Sequence, residues 1–359
     1  MSHSIGVIGA GAIVRGCHLP AYRDAGFVVA AIADADAERA RQVAQEYGIP
    51  TQYASAEELL AHADVDVVDI AVPPAAQPAV ALAALSSGRH VLCQKPLAQT
   101  LTDAISIANA AEKARLKVAV NQQLRWAPLV SAVADLLRTG SVGPPDLLSL
   151  EISTVTDWSP WRFLADRQRL DLLMHSIHFL DAIRFLLGEP RLVTAWGRRS
   201  PGQIVAGETI TVTVMEFDHT LAILTVNHND PAPRHAVGVL RLTGPQCAIE
   251  GRIGLYSKPG FPIDEPDRLA FGTGDRYGDL VPLPGSWFPG AFAGPMGNLL
   301  EAIDSGKNPL TNVRDNLRTM ALVEAAYESM QSQRPVDPDR MLQEALAASA
   351  ATDALDDRG

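Results

Sequence analysis

The sequence predicts two joined architectures: an N-terminal α/β domain on a doubly wound parallel sheet, and a C-terminal α+β domain with a large, mainly antiparallel sheet. Three observations predict this. In the first third, short apolar runs alternate with helical stretches and carry no polar alternation, as strands covered on both faces require. From about residue 147 strands follow in succession, and several alternate, as in Thr209-Ile210-Thr211-Val212-Thr213-Val214. A glycine turn, Gly9-Ala10-Gly11, stands between the first strand and the first helix. The expected domains are 1–122, 123–335, and a C-terminal helix and tail over 336–359, with the closing helices able to pack back on the first domain.

The first strand is Ile5-Gly6-Val7-Ile8. Gly9 lets the chain turn sharply out of it. Gly11 lacks a side chain, so an anionic group can approach the backbone. The helix beginning near Ala12 and Ile13 offers N–H groups and the positive end of its dipole. A second apolar run, 27–33, ends at Asp34, 20 residues past Val14, where a carboxylate can accept hydrogen bonds from a ribose diol. Strand, glycine turn, helix, strand and acid read together as a dinucleotide-binding βαβ unit of Rossmann type. A 2′-phosphate beside Asp34 would be repelled, and Ala35 and Asp36 supply no cation, so NAD is expected in preference to NADP. Val14 departs from the usual Gly or Ala, which predicts a helix slightly farther from the sheet.

A helix follows over 36–47, closed by Gly48 and Pro50. Strand 65–72 is stopped by Pro73-Pro74. A helix over 78–85 ends at Gly88, and strand 90–94 ends before Pro96. Helix 102–115 and strand 117–121 complete the first domain. After a helix over 128–138 come strands at 147–156, 192–197, 208–217, 221–227, 237–243 and 247–256. One helix, 170–187, interrupts them. Residues 259–290, rich in Pro and Gly, predict long surface loops. Helices over 292–305 and 313–331 follow, and the stretch from about Ala347 is expected to fray.

The net charge of −11 and the lack of a basic run interleaved with aromatics exclude nucleic acid as the expected partner. Nothing approaches 18 consecutive apolar residues, so no membrane span is expected. The N-terminus enters a strand with no charged-then-apolar leader, which makes the cytoplasm the expected compartment. Cys17, Cys93 and Cys247 form neither a disulfide framework nor a zinc pattern.

Ligands of open α/β sheets bind at the carboxyl ends of the strands, so substrate is expected between the first domain's loops and the antiparallel domain. Lys95 leaves strand 90–94 between Gln94 and Pro96. It reads either as a solvated strand-end lysine or as a group with a lowered pKa that donates to a substrate oxygen. On helix 170–187, Asp171, His175 and His178 fall within roughly 60° of one another. They form a polar stripe, and Asp171 can reach His175 across one turn. Satisfied core histidines are the alternative. The His-x-x-His spacing lacks a third ligand nearby, so no metal is expected, and Asp181 points elsewhere and reads as structural. Trp158 and Trp161 either pack onto the core or wall a pocket, where flat rings can stack on a sugar.

These pieces together resemble the glucose–fructose oxidoreductase / inositol dehydrogenase (Gfo/Idh/MocA) family over roughly residues 4 to 335. The stretches that carry the resemblance are Gly9-Ala10-Gly11-Ala12-Ile13 with His18-Leu19-Pro20-Ala21, and Gly88-Arg89-His90-Val91-Leu92-Cys93-Gln94-Lys95-Pro96-Leu97. They continue with Asn121-Gln122-Gln123-Leu124-Arg125-Trp126 and with His178-Phe179-Leu180-Asp181 through Gly188. The resemblance implies an NAD(P)-dependent oxidoreductase of sugars or polyols. The family's Glu-Lys-Pro motif maps onto Gln94-Lys95-Pro96, with Gln for Glu. Its Asp-x-x-x-His motif lies three residues before a helical Asp, which places the histidine at His178 and its Asp at Met174. Asp171 and His175 keep the same spacing one turn earlier. His178 is therefore favoured, with His175 as the fallback. Gln77 stands where the family often has a histidine.

The expected cofactor residues are Gly9, Gly11, Ala12, Ile13, Asp34, Pro73, Gln77, Gln94, Lys95 and Asn121. Lys95, Asn121, Arg125, Trp158, Trp161, His175 and His178 are expected at the substrate. Lys95, His178, His175 and Asp171 are expected to carry the chemistry. The expected activity is NAD-dependent oxidation of a sugar, sugar acid or cyclitol by a homodimer or homotetramer. Two alternatives share the fold: a glycosidase that oxidises its sugar transiently, and a non-catalytic dinucleotide sensor.

Overall fold

The computed structural model describes residues 3–159, 161–230, 237–254, 266–274 and 276–356. The chain forms two compact units. The first takes in residues 1–123, 292–320 and 343–359, and the second 124–291 and 321–342.

In the first unit the elements run β1 (Ser4–Ile8), α1 (Leu19–Asp24), β2 (Val28–Ala33), α2 (Ala37–Tyr47), β3 (Thr51–Tyr53), α3 (Ala56–His62), β4 (Val67–Ile70), α4 (Gln77–Ser86), β5 (His90–Cys93), α5 (Leu101–Ala114) and β6 (Val118–Val120). The strands make one parallel sheet in the order β3-β2-β1-β4-β5-β6. The order reverses at β1, so the β1 and β4 ends form the switch point where such sheets take ligands. Ile5, Val7, Ile32, Val67, Ile70, Val91 and Leu92 are wholly buried, which accounts for their unbroken apolar runs.

β3 and α3 add to the elements expected from the sequence. The strand is three residues long and largely exposed, so it carries no apolar signal. Ahead of α1 the backbone makes a π-helical turn, Val14–His18. Val14 lies fully buried inside this wider turn.

The second unit holds α6 (Pro128–Arg138), β7 (Leu147–Ser153), α7 (Asp171–Met174), α8 (Ile177–Leu187), β8 (Leu192–Arg198), β9 (Ile210–Glu216), β10 (Leu221–Asn227), β11 (Val237–Thr243), β12 (Ala248–Gly254), β13 (Arg268–Thr273), β14 (Arg276–Tyr277) and β15 (Val281–Pro282). Its nine strands form one sheet in the order β14-β13-β12-β11-β7-β10-β9-β8, with β15 on β13. The ladders are antiparallel except β7 on β10, which is parallel. One sheet face is buried through Leu148, Leu150, Ala222, Leu224, Met215 and Leu240, and the alternate residues are half-exposed.

Two expectations are corrected here. The single helix over 170–187 is two helices, broken at His175 (φ −125°, ψ −60°) and Ser176. The Pro- and Gly-rich stretch contains β13, β14 and β15, because Leu269 and Ala270 find burial beside β12. Residues 259–265 and 275 of that expected loop region, and the last two residues of the expected strand 247–256, lie outside the described residues.

The chain closes with α9 (Ala293–Ser305), α10 (Val313–Ser332) and α11 (Pro338–Asp356). The last continues well past Ala347, where fraying was expected. No helix among the described residues is long and apolar enough to cross a membrane.

Candidate active site

The glycine turn is built as its sequence demands. Gly9 has φ +107°, and a Cβ there would lie 2.3 Å from the Ala71 carbonyl oxygen. Its N–H donates to Ala33 O at 2.8 Å, which ties the turn to the end of β2. Around Gly11 the opposite holds: a Cβ would meet nothing within 4 Å. That open backbone fits the close approach of a diphosphate, and the helix starting at Ala12 fits its charge. Pro73 stands exposed just past β4.

Asp34 accepts hydrogen bonds from the Ala10 amide (2.7 Å), the Asp36 amide (2.8 Å) and Arg39 Nη2 (2.7 Å). Burial alone would raise its pKa, but Arg39 and the two amides outweigh burial and hold the carboxyl below its ordinary value. Ala35 and Asp36 supply no cation, as expected, and the cation beside Asp34 comes from farther along the chain. Arg39 sits one helical turn into α2, whose N-cap is Asp36, and folding brings its guanidinium back onto Asp34.

At the carboxyl ends of β5 and β6 the turn Gln94–Leu97 is held from within. Gln77 Nε2 donates to the carbonyls of Gln94 (2.5 Å), Pro96 (2.8 Å) and Leu97 (3.0 Å). Gln77 is almost wholly buried. Its amide N–H groups are engaged in fixing the turn that carries Lys95, and its Oε1 meets no donor among the described residues. Gln94 likewise turns inward, its Oε1 accepting from the Lys95 amide at 3.0 Å. The Lys95–Pro96 peptide is cis. Burial pushes the Lys95 ammonium down to about 8.

Asn121 is fully buried. Its Nδ2 lies 3.2 Å from His18 Nε2, and its Oδ1 meets no donor among the described residues. His18 Nδ1 in turn lies 2.7 Å from Asp69 Oδ2, which also accepts from Tyr22. This network fixes Asn121 and leaves one amide oxygen for a ligand donor.

In the second unit the break between α7 and α8 places His175 at the last turn of α7. Its Nδ1 lies 3.5 Å from Asp171 Oδ1, and its side chain is 29 % exposed. Asp171 is wholly buried. It accepts from Ser176 Oγ (2.7 Å), from Thr211 Oγ1 on β9, and from His228 Nε2 (2.8 Å). Burial would favour its neutral form, but hydrogen bonds from His175 and His228 override burial and hold the carboxyl far below the usual carboxylate range. Glu208 lies under the same helix. It accepts from the Leu170 and Leu172 amides and from Tyr327 Oη at 2.6 Å, and burial raises its pKa.

His178 is 5 % exposed, and its ring meets the edge of Trp287 at 6.0 Å. His175 has the carboxylate partner and the more exposed imidazole, whereas the His178 ring is nearly enclosed.

Arg125 forms a buried two-pronged ion pair with Asp181, both contacts at 2.7 Å, beneath the Phe185 ring. Its guanidinium is a structural brace. Trp158 is 8 % exposed and packs with Leu164, Leu170 and Val205, while Trp161 is only partly buried against it.

His228, directly after β10, was missed. It is a lone histidine 57 residues from Asp171, and no spacing announces it. Donor atoms of Asp171, His175 and His228 lie within 4.8 Å of one another.

Two family models match the chain. One, described as an oxidoreductase family with an NAD-binding Rossmann fold, matches residues 3–122. The other, described as the C-terminal alpha/beta domain of an oxidoreductase family, matches residues 161–337. The chain is similar to a D-apiose dehydrogenase of Paraburkholderia graminis, 31% identical over 96% of this chain and 92% of that protein. It is also similar to a D-xylose 1-dehydrogenase (NADP(+)) of Haloferax volcanii, 26% identical over 93% of this chain and 99% of that one. Among solved structures it resembles an oxidoreductase from Agrobacterium radiobacter in complex with NAD+, L-tartaric acid and magnesium. The TM-score is 0.82 at 27% identity, covering 95% of this chain and 100% of that one.

Proposed function

The chain belongs to the Gfo/Idh/MocA oxidoreductase family and is an NAD(P)-dependent oxidoreductase, and from that premise we propose that it oxidises a CH–OH group of a sugar, sugar acid or cyclitol. The observation that carries the reading is the His175 imidazole, partly exposed and paired with a wholly buried, anionic Asp171. Such a pair accepts a proton readily, because the imidazolium that forms is stabilised by the carboxylate.

Bound NAD(P)+ supplies the hydride acceptor. The turn at Gly9 and Gly11 holds the diphosphate, Asp34 the adenosine ribose, and Asn121 Oδ1 a ligand N–H or O–H. Lys95 donates to a substrate oxygen as its ammonium, and His175 takes the hydroxyl proton. Trp161 offers a flat ring to a sugar face. NAD would be preferred over NADP because Asp34 would accept from the ribose hydroxyls, and Arg39 would keep that preference moderate by offsetting the carboxylate's charge. We assign the enzyme to the cytoplasm as a homodimer or homotetramer. Support for assembly comes from exposed Trp196 and Leu221 on the half-exposed sheet face, and a monomer by light scattering would overturn it.

The test is a panel of aldoses, lactones, sugar acids and inositols, scored for NADH and NADPH absorbance. At least one sugar should reduce NAD+. His175→Ala should lower turnover by about 10²–10⁴, and His178→Ala should leave most of it. Bound cofactor with no net reduction across the panel would sink the reading and favour transient oxidation or a sensor.

A further inference from the structure

Asp171 Oδ1 has two histidine neighbours, and the nearer one is not His175. His228 Nε2 lies at 2.8 Å and His175 Nδ1 at 3.5 Å. On its other side, His228 Nδ1 lies 2.7 Å from Thr156 Oγ1. A threonine hydroxyl can donate to that nitrogen, which leaves the ring proton on Nε2, directed at Asp171. The His228 ring is fully enclosed, with Trp158 on one side (4.8 Å) and His175 on the other (4.5 Å).

The remaining polar groups about Asp171 come from every packed element. Ser176 follows α7, Thr211 belongs to β9, and Glu208 precedes β9 and binds Tyr327 of α10. The guanidinium of Arg169 lies over that tyrosine ring at 4.2 Å. Glu208 is a second buried carboxyl near Asp171, so the net field there depends on how firmly Asp171 is held as an anion by its own donors.

We infer that His228 is a positioning residue for the Asp171–His175 pair, donating from Nε2 to Asp171 and thereby setting how strongly His175 holds a proton. The inference rests on the proposed role of that pair. Thr156 fixes the tautomer, His228 shares the carboxylate, and His175 receives only the share that remains. Removing the His228 donor concentrates the carboxylate charge on His175 and raises its proton affinity.

The experiment follows the His175 ring by NMR titration in the resting full-length protein, alongside the pH dependence of kcat/KM. In His228→Leu the His175 midpoint should rise by roughly half to one pH unit, and the acid limb of kcat/KM should move with it. NAD(H) affinity should stay unchanged. His228→Gln, which places an N–H donor near the original Nε2, should restore both values. If the Leu variant fails to fold, His228→Asn, too short to reach Asp171, carries the same expectation. An unmoved midpoint in Leu or Asn, or a Gln variant that behaves like Leu, overturns the inference. The titration reads the resting protein. A shift without any sugar turnover would therefore discredit the proposed activity and leave His228's role standing.

Discussion

Lys95 has its ammonium pushed down to about 8 from 10.5 by burial, so the group titrates within the working range of an enzyme. It is charged below about pH 8 and becomes an amine as pH rises through that value. Turnover that needs the ammonium should therefore fall above about pH 8. Lys95→Arg, which stays cationic throughout, should abolish that fall in a kcat-against-pH curve, while Lys95→Ala should lower kcat by about 10²–10⁴ at every pH. Asp34 and Arg39 make a second test at this scale. Asp34→Ser removes the carboxylate and releases Arg39 toward a 2′-phosphate, so the ratio of kcat/KM for NADP to that for NAD should rise at least tenfold, about 1.4 kcal/mol. An unchanged ratio would remove Asp34 from cofactor choice. Lys95, Asp34 and Gly9 were legible because strand ends and turns announce themselves in local sequence. Arg39 and His228 were not, because each acquires its partner only by folding, through a helix cap in one case and a 57-residue return in the other.

At the scale of elements, the chemistry depends on buried braces around short pieces of helix. The four-residue α7 is too short to hold itself. Glu208 caps its start through the Leu170 and Leu172 amides, and Asp171 is gripped from β9 and from the end of β10. The neighbouring α8 is pinned by Asp181 to Arg125. Breaking that pair on one side leaves a buried charge, so Arg125→Met should destabilise the protein by about 3–5 kcal/mol, read from urea unfolding. A loss within 1 kcal/mol would show that the pair is not a brace. The polar stripe on 170–187 was visible in the sequence, but the break at His175 was not. No glycine or proline marks it, and the interruption coincides with tertiary hydrogen bonds to Asp171 from Thr211 and His228. The same limit explains β13: Leu269 and Ala270 become a strand only because β12 presents an edge.

For the whole molecule, the sequence carried the parallel order of the first sheet and the change to a mainly antiparallel one, since both follow from the period of burial along each strand. For the chain's last third it carried only that the closing helices could pack back on the first domain, not which segment does so or by which contacts. The dinucleotide-binding unit is not one continuous segment. Thr311 O accepts from the Val120 amide, Asn312 bridges Ala119, and Phe292 packs on His18 at 5.2 Å. Residues 292–320, together with 343–359, thus complete the unit begun by residues 1–123. A fragment ending at Gln123 should show a broad, poorly cooperative melt and weak NAD affinity, and adding a peptide of residues 292–320 in trans should sharpen the melt. A fragment that melts cooperatively alone would contradict this. Recombination that swaps nucleotide-binding modules as single cassettes would fail on this chain. Its cofactor half can be inherited or grafted only together with the distant segments that complete it, so the two halves of the gene are bound to change in concert.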